Sequence, residues 1–123
     1  TIYKIVYMDP DIDTLNTYRQ DLGPLLDEIT VSYSSNRYLE FNHKQVTKGT
    51  ALLRLARLLD IPQERTMAIG DNINDIEMLR AASLSVGVRN LNPAIGAYCD
   101  VVTDADNNEG AVGEAIERFV LKG

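Results

Sequence analysis

The sequence predicts an α/β protein in which a parallel sheet with flanking helices follows a small β-α-β-β unit. Two observations carry this. After Lys44, short apolar runs alternate with segments of helical period, the signature of strands joined by right-handed crossover helices. Before His43 the order differs: one helical stretch is followed by two β-prone runs in succession, an antiparallel signal. The boundary is expected near His43 to Val46, giving units 1–43 and 44–123.

Each element has its local reason. Residues 2–8 are rich in β-branched and aromatic types. Leu15, Tyr18 and Leu22 then recur at helical spacing until Gly23 and Pro24 stop them. "EITVSYSS" and "RYLEFN" read as a hairpin joined by Ser35 and Asn36. "TKGTALLRLARLLD" places Leu52, Leu55, Ala56 and Leu59 on one helical face, and Pro62 closes it. A buried strand, "TMAIG", leads to a helix over 74–82. "LSVGV" is a second strand, "NPAIGAY" a short helix and "DVVT" a third strand. Val112, Ala115, Ile116, Phe119 and Val120 are expected to line the inner side of a last helix.

Composition narrows the function classes. The chain has 123 residues, 45% of them hydrophobic, enough for a core. Twelve Lys and Arg against eighteen Asp and Glu leave a net charge of -6 with no basic tract, which argues against a nucleic-acid surface. Cys99 is the single cysteine and is expected to be inert packing. No apolar run reaches membrane-spanning or signal length, so a reducing cytoplasm is the expected compartment. The chain begins at Thr1 and enters at once into a β-like run, which suggests that an upstream part is missing.

The stretch "MAIGDNINDIEML" carries the chemistry. If "TMAI" is a strand, Asp71 sits just past its carboxyl end, where open α/β sheets bind ligands, and Gly70 permits the sharp turn. Asp75 falls in the first helical turn, close enough to Asp71 for the charges to repel unless a cation lies between them. Oxygen ligands of this kind suit Mg²⁺, which takes one or two protein carboxylates and leaves other positions to water and phosphate. Asp or Asn at a helix start also serves as an ordinary cap, and that reading stands beside the first. Lys48 adds weight. A cation in the first turn opposes the helix dipole by about 0.3–1 kcal/mol, so a lysine there could grip an anion or neutralise the carboxylate pair, beside the commoner fate of a solvated surface lysine.

"TKG", "AIGDNINDIEML", "VGVRN" and "DNNEGAV" together resemble the carboxyl half of the haloacid dehalogenase-like phosphatases, in their Cof-type branch. The resemblance runs from Tyr38 to the end. The first unit is more loosely similar to the closing part of that branch's α/β cap. It implies a Rossmann-like core, Mg²⁺ and hydrolysis of a small phosphorylated metabolite, sugar phosphates first among them, through an aspartyl-phosphate. Lys48 would match the lysine that stabilises the nucleophile and the transferring phosphoryl group. Asp71 would match the metal-binding acid, Asp75 the acid that supports metal and lysine, and Asn74 the amide that reaches phosphate or substrate.

The family also needs an aspartate nucleophile, a second Asp two residues on and a Ser or Thr, all ahead of the cap. "YMDPDIDT" imitates the first two with Asp9 and Asp11, but Ile12 stands where Gly is usual, and a turn with a helix cap is the better reading. The chain is therefore expected to be a carboxyl-terminal piece, poorly active or inactive alone. Asp104, Asp106 and Asn108 have calcium-loop spacing, yet Gly110 comes one place late and Ala115 replaces the twelfth-position Glu. His43 reads as solvated. The rival function is a non-enzymatic acidic module whose carboxylate turn binds a cation or partner without chemistry. A further rival, the phosphorylation domain of a cation-pumping ATPase, would require membrane segments downstream. Oligomeric state is not legible, although exposed apolar edges would favour association.

Overall fold

The computed structural model describes residues 4–122, which fall in two compact units, Thr1–Thr47 and Lys48–Gly123. In the first unit, β1 (Ile5–Met8) is the described part of the strand expected over 2–8; residues 2 and 3 lie outside the described residues. Asp9 accepts a hydrogen bond from the Asp11 amide at 2.9 Å. Asp11 in turn accepts from the Asp13 amide at 3.1 Å and the Thr14 hydroxyl at 2.8 Å, which starts α1 (Ile12–Asp21). Both acids are engaged in a turn and a cap.

A 3₁₀ turn, Gly23–Asp27, leads to β2 (Ile29–Ser34) and β3 (Tyr38–His43). Their connection needs left-handed backbone at Ser35 (φ 52°) and Asn36 (φ 51°). The sheet is antiparallel in the order β1-β3-β2, with Leu39 opposite both Tyr7 and Tyr33. Helix α1 covers that face: Leu15 and Leu39 are fully buried, and Tyr7 meets Tyr18 edge-on at 4.7 Å.

The second unit opens with α2 (Lys48–Leu58). It buries Gly49 and Ala56 and half-buries Leu52, but Leu55 and Leu59 remain 55% and 59% exposed, contrary to the expected face. The apolar arc of α2 is wider than the arc that meets α3, and small residues at the centre of that contact let the helices approach closely. Nor does Pro62 end this helix. The Ile61 amide donates to the Ala56 carbonyl at 2.8 Å and the Asp60 amide to the Arg57 carbonyl at 3.2 Å, a Schellman closure with Asp60 at φ 53°.

Strands β4 (Met67–Gly70), β5 (Leu84–Gly87) and β6 (Val101–Val102) form a parallel sheet in that order, with Gly70 opposite Gly87 and Val86 opposite Val101. The helix expected over 74–82 is a 3₁₀ turn, Ile73–Asp75, followed by α3 (Ile76–Ala81). The short helix before β6 is also 3₁₀, Pro93–Tyr98, capped by Asn92. Ala68, Leu79 and Ile95 make the core beneath, with Leu52, Ile76, Met78, Leu91 and Cys99 packed against it.

Helix α4 (Ala111–Ile116) continues as a π-helical turn, Glu117–Leu121. Its buried side is Ala111 and Ala115; Val112, Ile116 and Val120 are 56%, 41% and 58% exposed. The expected inner face is thus rotated toward the small residues. Among the described residues no helix is long and apolar enough to cross a membrane.

Candidate active site

The site is built where β4 ends. Asn72 caps the turn that follows: its side-chain oxygen accepts from the Ile73 amide at 2.8 Å, and its carbonyl accepts from the Asp75 amide at 2.9 Å. Asp75 reaches back, and its Oδ2 accepts from the amides of Asp71 (3.1 Å) and Asn72 (3.3 Å), completing a capping box. Its Oδ1 accepts from the Lys48 Nζ at 2.5 Å. One 4%-exposed carboxylate therefore closes the loop and holds the lysine.

Burial pushes the Asp75 carboxyl upward, but the Lys48 hydrogen bond, the Asp71 amide, the lysine's charge and the Asn72 amide together outweigh it, and the group ends below the ordinary aspartate value. Asp75 is held as an anion. The Lys48 side chain is 51% exposed and lines the cleft described below.

Asp71 is exposed, and its side chain makes no hydrogen bond or ion pair with the described residues. Lys48, Asp71 and Asp75 line one cleft of about 490 Å³, together with Met78, Val88 and Asn107. Asn74 is exposed on the same turn but is not among the cleft-lining residues. The donor set fits a hard divalent cation: Asp71 offers free carboxylate oxygens, whereas both oxygens of Asp75 are already engaged. Among the described residues no three His, Cys, Asp or Glu side chains are grouped so as to hold a metal ion by themselves.

Sequence reasoning quoted the motifs of two further loops but gave none of their residues a place in the site. The loop after β6 brings Asn107 and Gly110 to the cleft. Asn90 and Asn107 bond reciprocally, side chain to side chain at 2.8 Å and amide to side chain at 3.1 Å. Asn92 ties the loop after β5 to the first: its amide donates to the Asp71 carbonyl at 2.8 Å and its Nδ2 to the Asn72 Oδ1 at 3.3 Å. The available signal was positional, since all three loops leave the carboxyl ends of parallel strands. In the calcium-like stretch, the Asp106 carboxylate instead accepts from Arg89 at 3.2 Å and from the Asn108 amide at 2.8 Å, while Glu109 takes Arg89 at 2.6 Å. It is a laced loop into α4. His43 is exposed, and its Nδ1 accepts from the Gln45 amide at 3.2 Å.

The chain is thus a Rossmann-like α/β domain with a lysine paired to a buried carboxylate, beside a free one, at the carboxyl edge of its parallel sheet. The chain belongs to the haloacid dehalogenase-like hydrolase family, whose pattern matches residues 1–116. It is 38% identical over 88 residues to the phosphoglycolate phosphatase of Methanothermobacter thermautotrophicus, covering 72% of this chain and 39% of that protein. It is 34% identical over 94 residues to the 5-amino-6-(5-phospho-D-ribitylamino)uracil phosphatase YcsE of Bacillus subtilis, covering 76% and 37%. A solved haloacid dehalogenase-like hydrolase from B. subtilis superposes with a TM-score of 0.84 at 30% identity, over 96% of this chain and 41% of that one. The chain spans only 30–39% of the length of such curated relatives.

Proposed function

We propose that the chain is the carboxyl-terminal part of a Mg²⁺-dependent phosphatase of the Cof-type branch, which hydrolyses small phosphorylated metabolites through an aspartyl-phosphate. The observation that carries the reading is the Lys48–Asp75 pair beside the free Asp71 carboxylate at the end of β4. Asp71 would hold Mg²⁺, with Asp75 supporting the site from behind. When bound, the ion supplies positive charge against the phosphoryl oxygens. Lys48 places its ammonium where phosphoryl charge develops, and Asp75 fixes that ammonium in orientation. Asn74, on the same turn, is assigned to substrate.

The nucleophile is assigned to chain outside these residues, because Asp9 and Asp11 are engaged in a turn and a cap. The named substrates of two relatives, phosphoglycolate and a phosphoribityl compound, support small phosphometabolites as the class, sugar phosphates included. A cytoplasmic setting agrees with the lone thiol of Cys99.

Calorimetric titration with Mg²⁺ and turnover of p-nitrophenyl phosphate test this. The 123-residue chain should bind Mg²⁺, lose binding in Asp71→Asn and show no turnover. A chain extended with its upstream coding sequence should turn over, and Lys48→Ala should slow it by about 10²-fold or more. Turnover that persists unchanged in Lys48→Ala or in chelator refutes the reading. Mg²⁺ binding without turnover in the extended chain favours the acidic binding module.

A further inference from the structure

We propose that Gly49 is a positioning residue: by letting the first turn of α2 rest on the backbone of α3, it sets the Lys48 ammonium on the Asp75 carboxylate. The inference rests on the phosphoryl-transfer role of that pair. A Cβ at Gly49 would lie 2.4 Å from the Glu77 carbonyl oxygen, 2.8 Å from its carbonyl carbon and 3.3 Å from Glu77 Cβ. The two tightest contacts are backbone atoms of α3, so no rotamer change relieves them; the helices must move. Opening 2.4 Å to an ordinary 3.4 Å is a shift of about 1 Å. Gly49 adjoins Lys48, and Glu77 stands two residues beyond Asp75, so the shift acts directly on a 2.5 Å ion pair.

Local preference runs the other way. Glycine is a poor helix former, and alanine would favour the first turn of α2. A rule broken beside a site residue points to the site. Gly70 makes the matching approach from the strand: a Cβ there would fall 2.7 Å from Asp75 Cβ and 3.0 Å from its Oδ2. Gly70 thus admits the Asp75 carboxylate to the end of β4, and Gly49 admits the turn that carries Lys48 to the backbone of α3.

The test is a double-mutant cycle of Lys48→Met and Asp75→Asn, read by denaturant unfolding of the 123-residue chain in three backgrounds: unchanged, Gly49→Ala and Leu52→Ala. The unchanged background should show a coupling of about fivefold in the unfolding constant. Gly49→Ala should reduce it to within about twofold of none. Leu52→Ala, which removes only side-chain contacts with the core, should lower stability yet keep the coupling. Undiminished coupling with Ala at 49 overturns the proposal. If Gly49→Ala does not fold in buffer, the cycle is run in sucrose, which favours the compact state. Failure to fold there too makes Gly49 a folding requirement and overturns its positioning role. Because the cycle uses neither ligand nor turnover, a failed cycle with Mg²⁺ binding intact overturns this inference alone. An intact cycle without Mg²⁺ binding overturns the phosphatase reading alone.

Discussion

Asp75 has two tasks, closing a turn and holding an ammonium, and its removal should register in stability before any substrate is added. Asp75→Asn is expected to cost about 2 kcal/mol at pH 7, since the amide cannot accept at both ends as the carboxylate does and leaves buried amide protons poorly met. The sign with pH follows from its depressed ionisation. The stabilisation is fully present above the ordinary aspartate value of about 3.9 and is lost as pH falls through the lower folded value. Urea unfolding at several pH values should therefore show wild type and Asp75→Asn converging in acid; a gap that stays constant contradicts the ion pair. Lys48→Met should cost less, about 1 kcal/mol, because the lysine is half exposed and solvent screens its charge. Spacing brought Asp71 and Asp75 to one turn, and only the resemblance divided their labour; the folded turn adds that Asp75 spends both oxygens inside the protein.

Helix α2 stops by a Schellman closure whose left-handed residue is Asp60, an L residue where glycine is at ease. Asp60→Gly should raise stability by about 1 kcal/mol, read as a higher urea midpoint with unchanged slope. An unchanged or lower midpoint would mean that the Asp60 side chain contributes more than its strain costs. The same element shows why the fold was more legible than its faces. Strand and helix existence followed from period and punctuation. The choice of buried face did not, because α2 and α4 bury their small residues, Gly49 and Ala56 in one and Ala111 and Ala115 in the other, and leave larger apolar side chains outside. Hydrophobic period selects the large residues; close helix packing selects the small. The loop after β6 entered through the resemblance, in "DNNEGAV", but without a role for Asn107, which lines the cleft and pairs with Asn90; nothing in the spacing of 90 and 107 announces that contact.

For the molecule as a whole, the exposed apolar residues of the second unit set its solution behaviour. Leu58 is 75% exposed, Leu55 and Leu59 more than half, and Val120 and Leu121 58% and 71%. Such surface favours association even in a chain of net charge -6. The 123-residue chain should show a light-scattering mass that rises with concentration, and Leu58→Glu with Val120→Glu should reduce it while leaving the unfolding midpoint nearly unchanged. A concentration-independent monomer would refute this. The shared carboxylate of the β4 turn reaches further. A side chain that fixes both the shape of a loop and the aim of an ammonium cannot be adjusted for one without disturbing the other. Change in the shape of the cleft is therefore left to its other lining residues, Met78, Val88 and Asn107 among them, while the carboxylate itself stays put.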